Sequence, residues 1–218
     1  MKSADEKEKL YLSLQRLTEN TIEDIVNRSV NHKNMNNHND LNINNKYKVL
    51  FVCLGNICRS PMAEYVMKHL VAQAGLESDF EITSGAVSTE EIGNDIYPPA
   101  KRKLTEKGVK FTRHAAHKIT PEEFREQDLV ILMDGSNQRL LSHIVRNWED
   151  TPAGESIPAE KIGGKVHLMM EFAGAAAGDT IPANGNARDV ADPWYTGNFE
   201  QTYRDVLAGC SGLLEILK

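Results

Sequence analysis

The chain has 218 residues, a formal net charge of −6 and three cysteines. That length suits one sizeable domain or a domain with an arm. The charge offers no basic field for nucleic acid, and no apolar run reaches the ~18 residues a membrane span needs. Three cysteines make no disulfide framework.

Residues 1–46 differ from the rest. Leu10, Leu14, Leu17 and Ile25 fall at roughly helical spacing, which predicts a short amphipathic helix from about Asp5 to Arg28. The stretch is charged and lacks the apolar core of a signal peptide, so the cytoplasm is the expected compartment. NHKNMNNHNDLNINN, residues 31–45, is dominated by asparagine and reads as a disordered linker. The expected division is an N-terminal extension over 1–46 and a folded domain over 47–218.

From Lys48 onward, strand-like and helix-like segments alternate. KVLFV (48–52), FEITS (80–84), DLVILMD (128–134) and KVHLMM (165–170) read as strands. Met62–Ala74, Pro98–Lys107, Ser136–Arg146 and Glu200–Lys218 read as helices, with Ser60 as N-cap and Pro61 in the first turn of the first. A further short helix begins at TPEEF, with Thr120 capping and Pro121 in its first turn. Residues 148–164 and 173–191 are rich in Gly, Ala and Pro and read as surface loops. The alternation predicts an α/β fold with a parallel sheet covered on both faces. Its ligand crevice lies beyond the carboxyl ends of the strands.

The loop after the first strand lies at that end. VCLGNICRSP, residues 52–61, carries Cys53 and Arg59 bracketing Leu54, Gly55, Asn56, Ile57 and Cys58, a Cys-X5-Arg-Ser pattern. Seven residues curled around one centre aim amide N–H groups inward, a nest for a tetrahedral dianion. Gly55 permits the sharp curl, and Asn56 tolerates a left-handed backbone. The planar fork of Arg59 binds two phosphate oxygens at once. Amides, helix dipole, Arg59 and the Ser60 hydroxyl all favour thiolate over thiol at Cys53. A thiolate on the floor of a phosphate cradle is placed for in-line attack on phosphorus, giving a cysteinyl-phosphate without a metal or other cofactor. Two other readings compete. Cys53 and Cys58 as zinc ligands lack the second cysteine pair such sites use, and a nucleotide loop lacks its G-x-x-x-x-G-K-[ST] signature.

With Gly55, Asn56, Cys58, Arg59, Ser60 and Pro61 taken together, the chain resembles the low-molecular-weight protein tyrosine phosphatases over about residues 47–218. TSGAVS (83–88), MDGSN (133–137) and DPW (192–194) match in the expected order. The resemblance implies a four-stranded parallel sheet flanked by helices. It implies Cys53 as nucleophile, Arg59 as phosphate and transition-state binder, and Asp192 as general acid and then base. Leu54, Gly55, Asn56, Ile57, Cys58 and Ser60 would form the phosphate loop, with Trp194 and Tyr195 as an aromatic wall for a phosphotyrosine ring. His114 looks like the histidine that buttresses Asn56, with His117 as its neighbour, and Ser84 like a supporting hydroxyl. In that family the position of Cys58 can form a disulfide with the nucleophile; Cys210 reads as core. The implied partners are phosphotyrosine-containing proteins or peptides; none of these motifs encodes an oligomeric state.

Two departures stand out. Where the family often carries an aromatic at the pocket rim, this chain has Thr89-Glu90-Glu91-Ile92, whose carboxylates repel acidic peptides. The stretch between Trp148 and Asp192 is longer than usual, which suggests a lid. Rival functions are an arsenate reductase, which needs a distant pair of cysteines absent here, and a protein-arginine phosphatase, which typically has threonine at the position of Ile57. A non-catalytic phosphotyrosine-binding module would be marked by loss of Cys53 or Asp192, and both are present.

Overall fold

A computed structural model of the chain describes residues 46–148, 164–174 and 188–218. The expected N-terminal helix and Asn-rich linker lie outside these residues, as does most of the stretch read as a lid. Four strands, β1 (Tyr47–Cys53), β2 (Phe80–Ala86), β3 (Leu129–Leu132) and β4 (Val166–Leu168), form one sheet in the order β2-β1-β3-β4. All pairings are parallel, with Cys53 opposite Ala86 and Val52 opposite Leu132. The helices are α1 (Arg59–Gln73), α2 (Pro98–Glu106), α3 (Pro121–Glu126), α4 (Gly135–Trp148), α5 (Pro193–Thr196) and α6 (Phe199–Leu217).

Side chains of a strand point alternately to opposite faces. On β1, Val49, Phe51 and Cys53 pack with Met62 and Val66 of α1, Leu104 of α2 and Val206 of α6. Leu50 and Val52 pack on the other side with Phe124 of α3 and with Leu141 and Val145 of α4. A central strand buried on both faces explains why KVLFV is apolar without alternation. Each fully buried large side chain, Phe51 among them, contributes about 1.5–3 kcal/mol.

The chain leaves β1 for β2 on one side and later returns for β3 on the other. The order therefore reverses at β1, and a crevice opens above its carboxyl end. The residues that follow, 54–58, run straight into α1. This corrects the expected cap: α1 starts at Arg59, Cys58 holds the N-cap without a side-chain hydrogen bond, and Ser60 lies inside the first turn. Its hydroxyl faces the loop rather than the helix end. The cap expected at Thr120 is present, with the Thr120 side chain accepting from the Glu123 amide and the Glu123 carboxylate accepting from the Thr120 amide. Residues 188–191 are also not a free surface loop, because Val190 is buried and its amide donates to the Met133 carbonyl at 2.9 Å. No helix among the described residues is long and apolar enough to cross a membrane.

Candidate active site

The loop at the crevice is shaped by its carbonyls. Those of Cys53 and Leu54 accept from the Val87 and Ser88 amides, that of Ile57 from the Tyr97 amide and that of Cys58 from Met62 within α1. The Asn56 carbonyl meets His114 Nε2 at 2.8 Å. In a trans peptide the N–H points opposite to the preceding carbonyl, and no cis bond occurs among the described residues. Five carbonyls turned outward thus turn the amides of Leu54, Gly55, Ile57, Cys58 and Arg59 inward. They converge near the N-terminus of α1, where the helix dipole also favours an anion.

Asn56 is the hinge of this curl. Its φ of 58° is the one left-handed value among described non-glycine residues. Gly55 does not adopt such a φ; a Cβ there would lie 2.9 Å from Glu91 Cγ, so any larger residue must displace the Glu91 side chain. Asn56 Nδ2 donates to Ser60 Oγ and to Ser84 Oγ, both at 2.9 Å. Its Oδ1 accepts from the His117 amide at 3.3 Å and lies 3.0 Å from His114 Nε2. The His114 ring thus meets Asn56, while His117 contributes its backbone. Ser84 Oγ lies 2.5 Å from Glu64 Oε2.

A carboxylate only accepts, which fixes the direction at Ser84. Ser84 donates to Glu64, Asn56 donates to both serines, and the one Ser60 proton is left for Cys53 Sγ at 3.0 Å, with the Gly85 carbonyl at 3.3 Å as its other acceptor. The Asn56 amide also donates to Cys53 Sγ, at 3.3 Å. One amide thus donates to that sulfur, and the Ser60 hydroxyl stands between it and the Gly85 carbonyl. Cys58 differs. Burial, reinforced by Cys53 and Asp192, pushes its thiol up to about 12 despite Arg59.

Arg59 is buried beneath the cleft. One guanidinium nitrogen contacts Asp134 Oδ2, and the other lies 2.6 Å from Asp192 Oδ2. Burial opposes its charge, but Cys53, Asp192 and Asp134 outweigh it and raise its pKa. Asp192 has extended backbone and caps α5, its Oδ1 accepting from the Trp194 amide at 3.0 Å. Trp194 and Tyr195 are 56 % and 80 % exposed, and Trp194 leans on Tyr97 with ring centroids 5.4 Å apart. These two aromatics, Asp192, Glu90 and Glu91 line the mouth, and Cys53, Leu54, Gly55, Ile57, Cys58 and Arg59 line the rest of the cleft.

The structure thus brings every sequence-predicted site residue either to this cleft or to the hydrogen-bond network behind it. Sequence reasoning missed Asp134, Glu64 and Tyr97. Asp134 follows β3 at the carboxyl end of the sheet, a position that could have signalled it. Glu64 lies one helical turn after Ser60, on the face turned to the loop.

A parallel sheet reversing beneath a Cys-X5-Arg loop, with an arginine–aspartate pair at its mouth, defines an α/β protein that sets a cysteine and an arginine on one cleft. The model of the low molecular weight phosphotyrosine protein phosphatases matches residues 48–218, and the chain belongs to that family. A curated relative, the low molecular weight protein-tyrosine-phosphatase YfkJ of Bacillus subtilis, is 31 % identical over 166 residues, 76 % of this chain and 92 % of that protein. The crystal structure of SP-PTP, a low molecular weight protein tyrosine phosphatase from Streptococcus pyogenes, aligns with a TM-score of 0.61 at 32 % identity, covering 79 % of this chain and 93 % of that one. A drosophila arginine phosphatase aligns with a TM-score of 0.59 at 28 % identity, covering 77 % and 95 %.

Proposed function

We propose that this protein is a protein tyrosine phosphatase that hydrolyses phosphotyrosine and small aryl phosphates through a cysteinyl-phosphate on Cys53. The observation that carries this reading is the placement of Cys53, Arg59 and Asp192 on one cleft, with the Arg59 fork spanning Asp134 and Asp192. An entering phosphate dianion takes the inward amides and the Arg59 edge that now holds Asp192. Asp192 is then released toward the ester oxygen and, freed from Arg59 beside the dianion, takes up a proton from solvent. The Cys53 thiolate attacks phosphorus in line, the P–O bond to the aryl group breaks, and Asp192 protonates the departing oxygen. In the second step Asp192 takes a proton from water, whose oxygen attacks phosphorus and frees the Cys53 thiolate. Arg59 and the loop amides carry the transition-state charge, so the reaction proceeds without a metal.

Ile57 lines the cleft and packs among Cys58, Ala116 and Tyr97. An apolar wall suits an aromatic ring and offers a guanidinium no hydrogen bond, which favours phosphotyrosine over phosphoarginine. The arsenate-reductase reading has no thiol relay to use, because Cys210 is buried in α6, with its Sγ 3.6 Å from the Ala63 carbonyl. All three cysteines are free thiols, which suits the reducing cytoplasm, with phosphotyrosine proteins as partners.

The test is hydrolysis of phenyl phosphate in EDTA by wild type, Cys53→Ser and Asp192→Asn. Turnover should survive the chelator, vanish in the first variant and fall on the order of 10²–10⁴-fold in the second. Activity retained by Cys53→Ser, or faster cleavage of phosphoarginine than of phosphotyrosine peptides, overturns the proposal.

A further inference from the structure

The segment entering the acid loop is held from below by a residue far from the chemistry. Asp205 lies on α6 with 1 % exposure, and its carboxylate has three donors. Arg188 Nη2 and Gln201 Nε2 reach Oδ1 at 2.5 and 2.7 Å, and the Ala191 amide reaches Oδ2 at 3.1 Å. One turn earlier on the same helix face, Thr202 Oγ1 donates to the Ala191 carbonyl at 2.8 Å. Both the amide and the carbonyl of Ala191 are thus gripped by α6. The next residue is Asp192, whose Cα can lie only about 3.8 Å from that of Ala191, and Pro193 then fixes the backbone beyond it.

A buried carboxylate is strongly unfavourable unless paired and hydrogen-bonded. Val206 and Cys210 fill the core from the same helix without one, so packing alone does not call for an acid there. Two of its three partners belong to residues 188–191, so its contacts serve the loop more than the helix. We propose that Asp205 is a positioning residue for Asp192: its carboxylate clamps residues 188–191 so that the Asp192 oxygen is carried to the Arg59 edge of the Cys53 cleft. Burial raises the Asp205 carboxyl, but Arg188, the Ala191 amide and Gln201 outweigh it and hold it below the usual range, so the clamp is charged at working pH.

This inference rests on Asp192 being the general acid, and the experiment separates the two. The kcat/KM of Asp205→Asn, Arg188→Gln and Asp192→Asn is measured across aryl phosphates with good and poor leaving groups, together with inhibition by vanadate. Proton donation matters most for poor leaving groups. Displacing the acid should therefore cost Asp205→Asn on the order of 10- to 100-fold with phenyl phosphate and less than about threefold with p-nitrophenyl phosphate. Vanadate inhibition should stay unchanged, since the phosphate loop is not touched. Arg188→Gln removes one donor from an exposed side chain and should move the same way by less; if Asp205→Asn does not fold, this variant decides. In an Asp192→Asn background Asp205→Asn should add no further leaving-group dependence. Equal losses on all substrates, weakened vanadate inhibition, or a further leaving-group effect in that background overturns the clamp alone. An Asp192→Asn variant without leaving-group dependence overturns the acid assignment and the clamp with it.

Discussion

Cys58 lies five residues after Cys53 in the same loop, yet its surroundings push its thiol up to about 12, first by burial and then by Cys53 and Asp192. Cys53 Sγ instead accepts from the Asn56 amide and lies 3.0 Å from the Ser60 hydroxyl. Thiolates alkylate and thiols do not. Iodoacetate near neutral pH should therefore carboxymethylate Cys53, inactivate the enzyme and be blocked by inorganic phosphate, leaving Cys58 unlabelled until the protein is unfolded. Peptide mapping by mass spectrometry reads both sites, and comparable labelling of Cys58 in the folded protein would contradict this account. At this scale the sequence exposed the residues that form one short motif, because the motif's spacing is itself the geometry. It did not expose Glu64 or Asp134 as partners. Glu64 is separated by 20 residues from Ser84, and Asp134 by 75 from Arg59. Arg59 and Glu64 both lie on α1, and only the packing of that helix on the sheet brings each pair together.

The strands and long helices were legible as elements because apolar runs of four to seven residues and helical spacing are local signals. The single turn α5 was not, since four residues carry no period and the Asp-Pro pair reads as a generic turn. Gly209 was equally opaque. It sits in α6, where glycine costs about 1 kcal/mol relative to alanine, and the reason lies 40 residues away. A Cβ at Gly209 would come within 2.3 Å of Met169 Sδ and 2.8 Å of the Met169 backbone oxygen, in the 3-10 turn after β4. The thioether can swing aside, but the carbonyl cannot. Gly209→Ala should therefore force α6 away from the sheet at about 2–3 kcal/mol, the upper part of the overpacking range, which exceeds the propensity gain. A net loss of about 1–2 kcal/mol should appear as a lower urea midpoint at unchanged m-value. A midpoint equal to or above wild type would mean that the turn yields.

Across the whole molecule, the pieces that carry the site are tied to one another by carboxylates. Asp95 accepts from the His114 and Ile96 amides and from Lys101, fixing the segment that buttresses Asn56. Glu200 joins α6 to Lys103 and Lys107 around α2. Asp205 accepts from Arg188 and the Ala191 amide, holding residues 188–191 to α6. Lys101 draws the Asp95 carboxyl down to about 2, and Lys103, Lys107 and Arg204 draw Glu200 to about 2. In the unfolded chain these groups titrate near 3.9 and 4.3. As pH falls the unfolded state therefore takes up protons first. The stability they supply is complete above the unfolded values and is lost as pH drops through the folded ones. The thermal midpoint should accordingly fall between about pH 4 and 2 by this mechanism. Asp95→Asn should lower the midpoint at pH 7 and flatten that fall, because the variant has no carboxylate left to protonate. Calorimetry of both proteins from pH 2 to 7 measures this. An acid limb of the same steepness in the variant would remove Asp95 from the account and leave the fall to the other carboxylates.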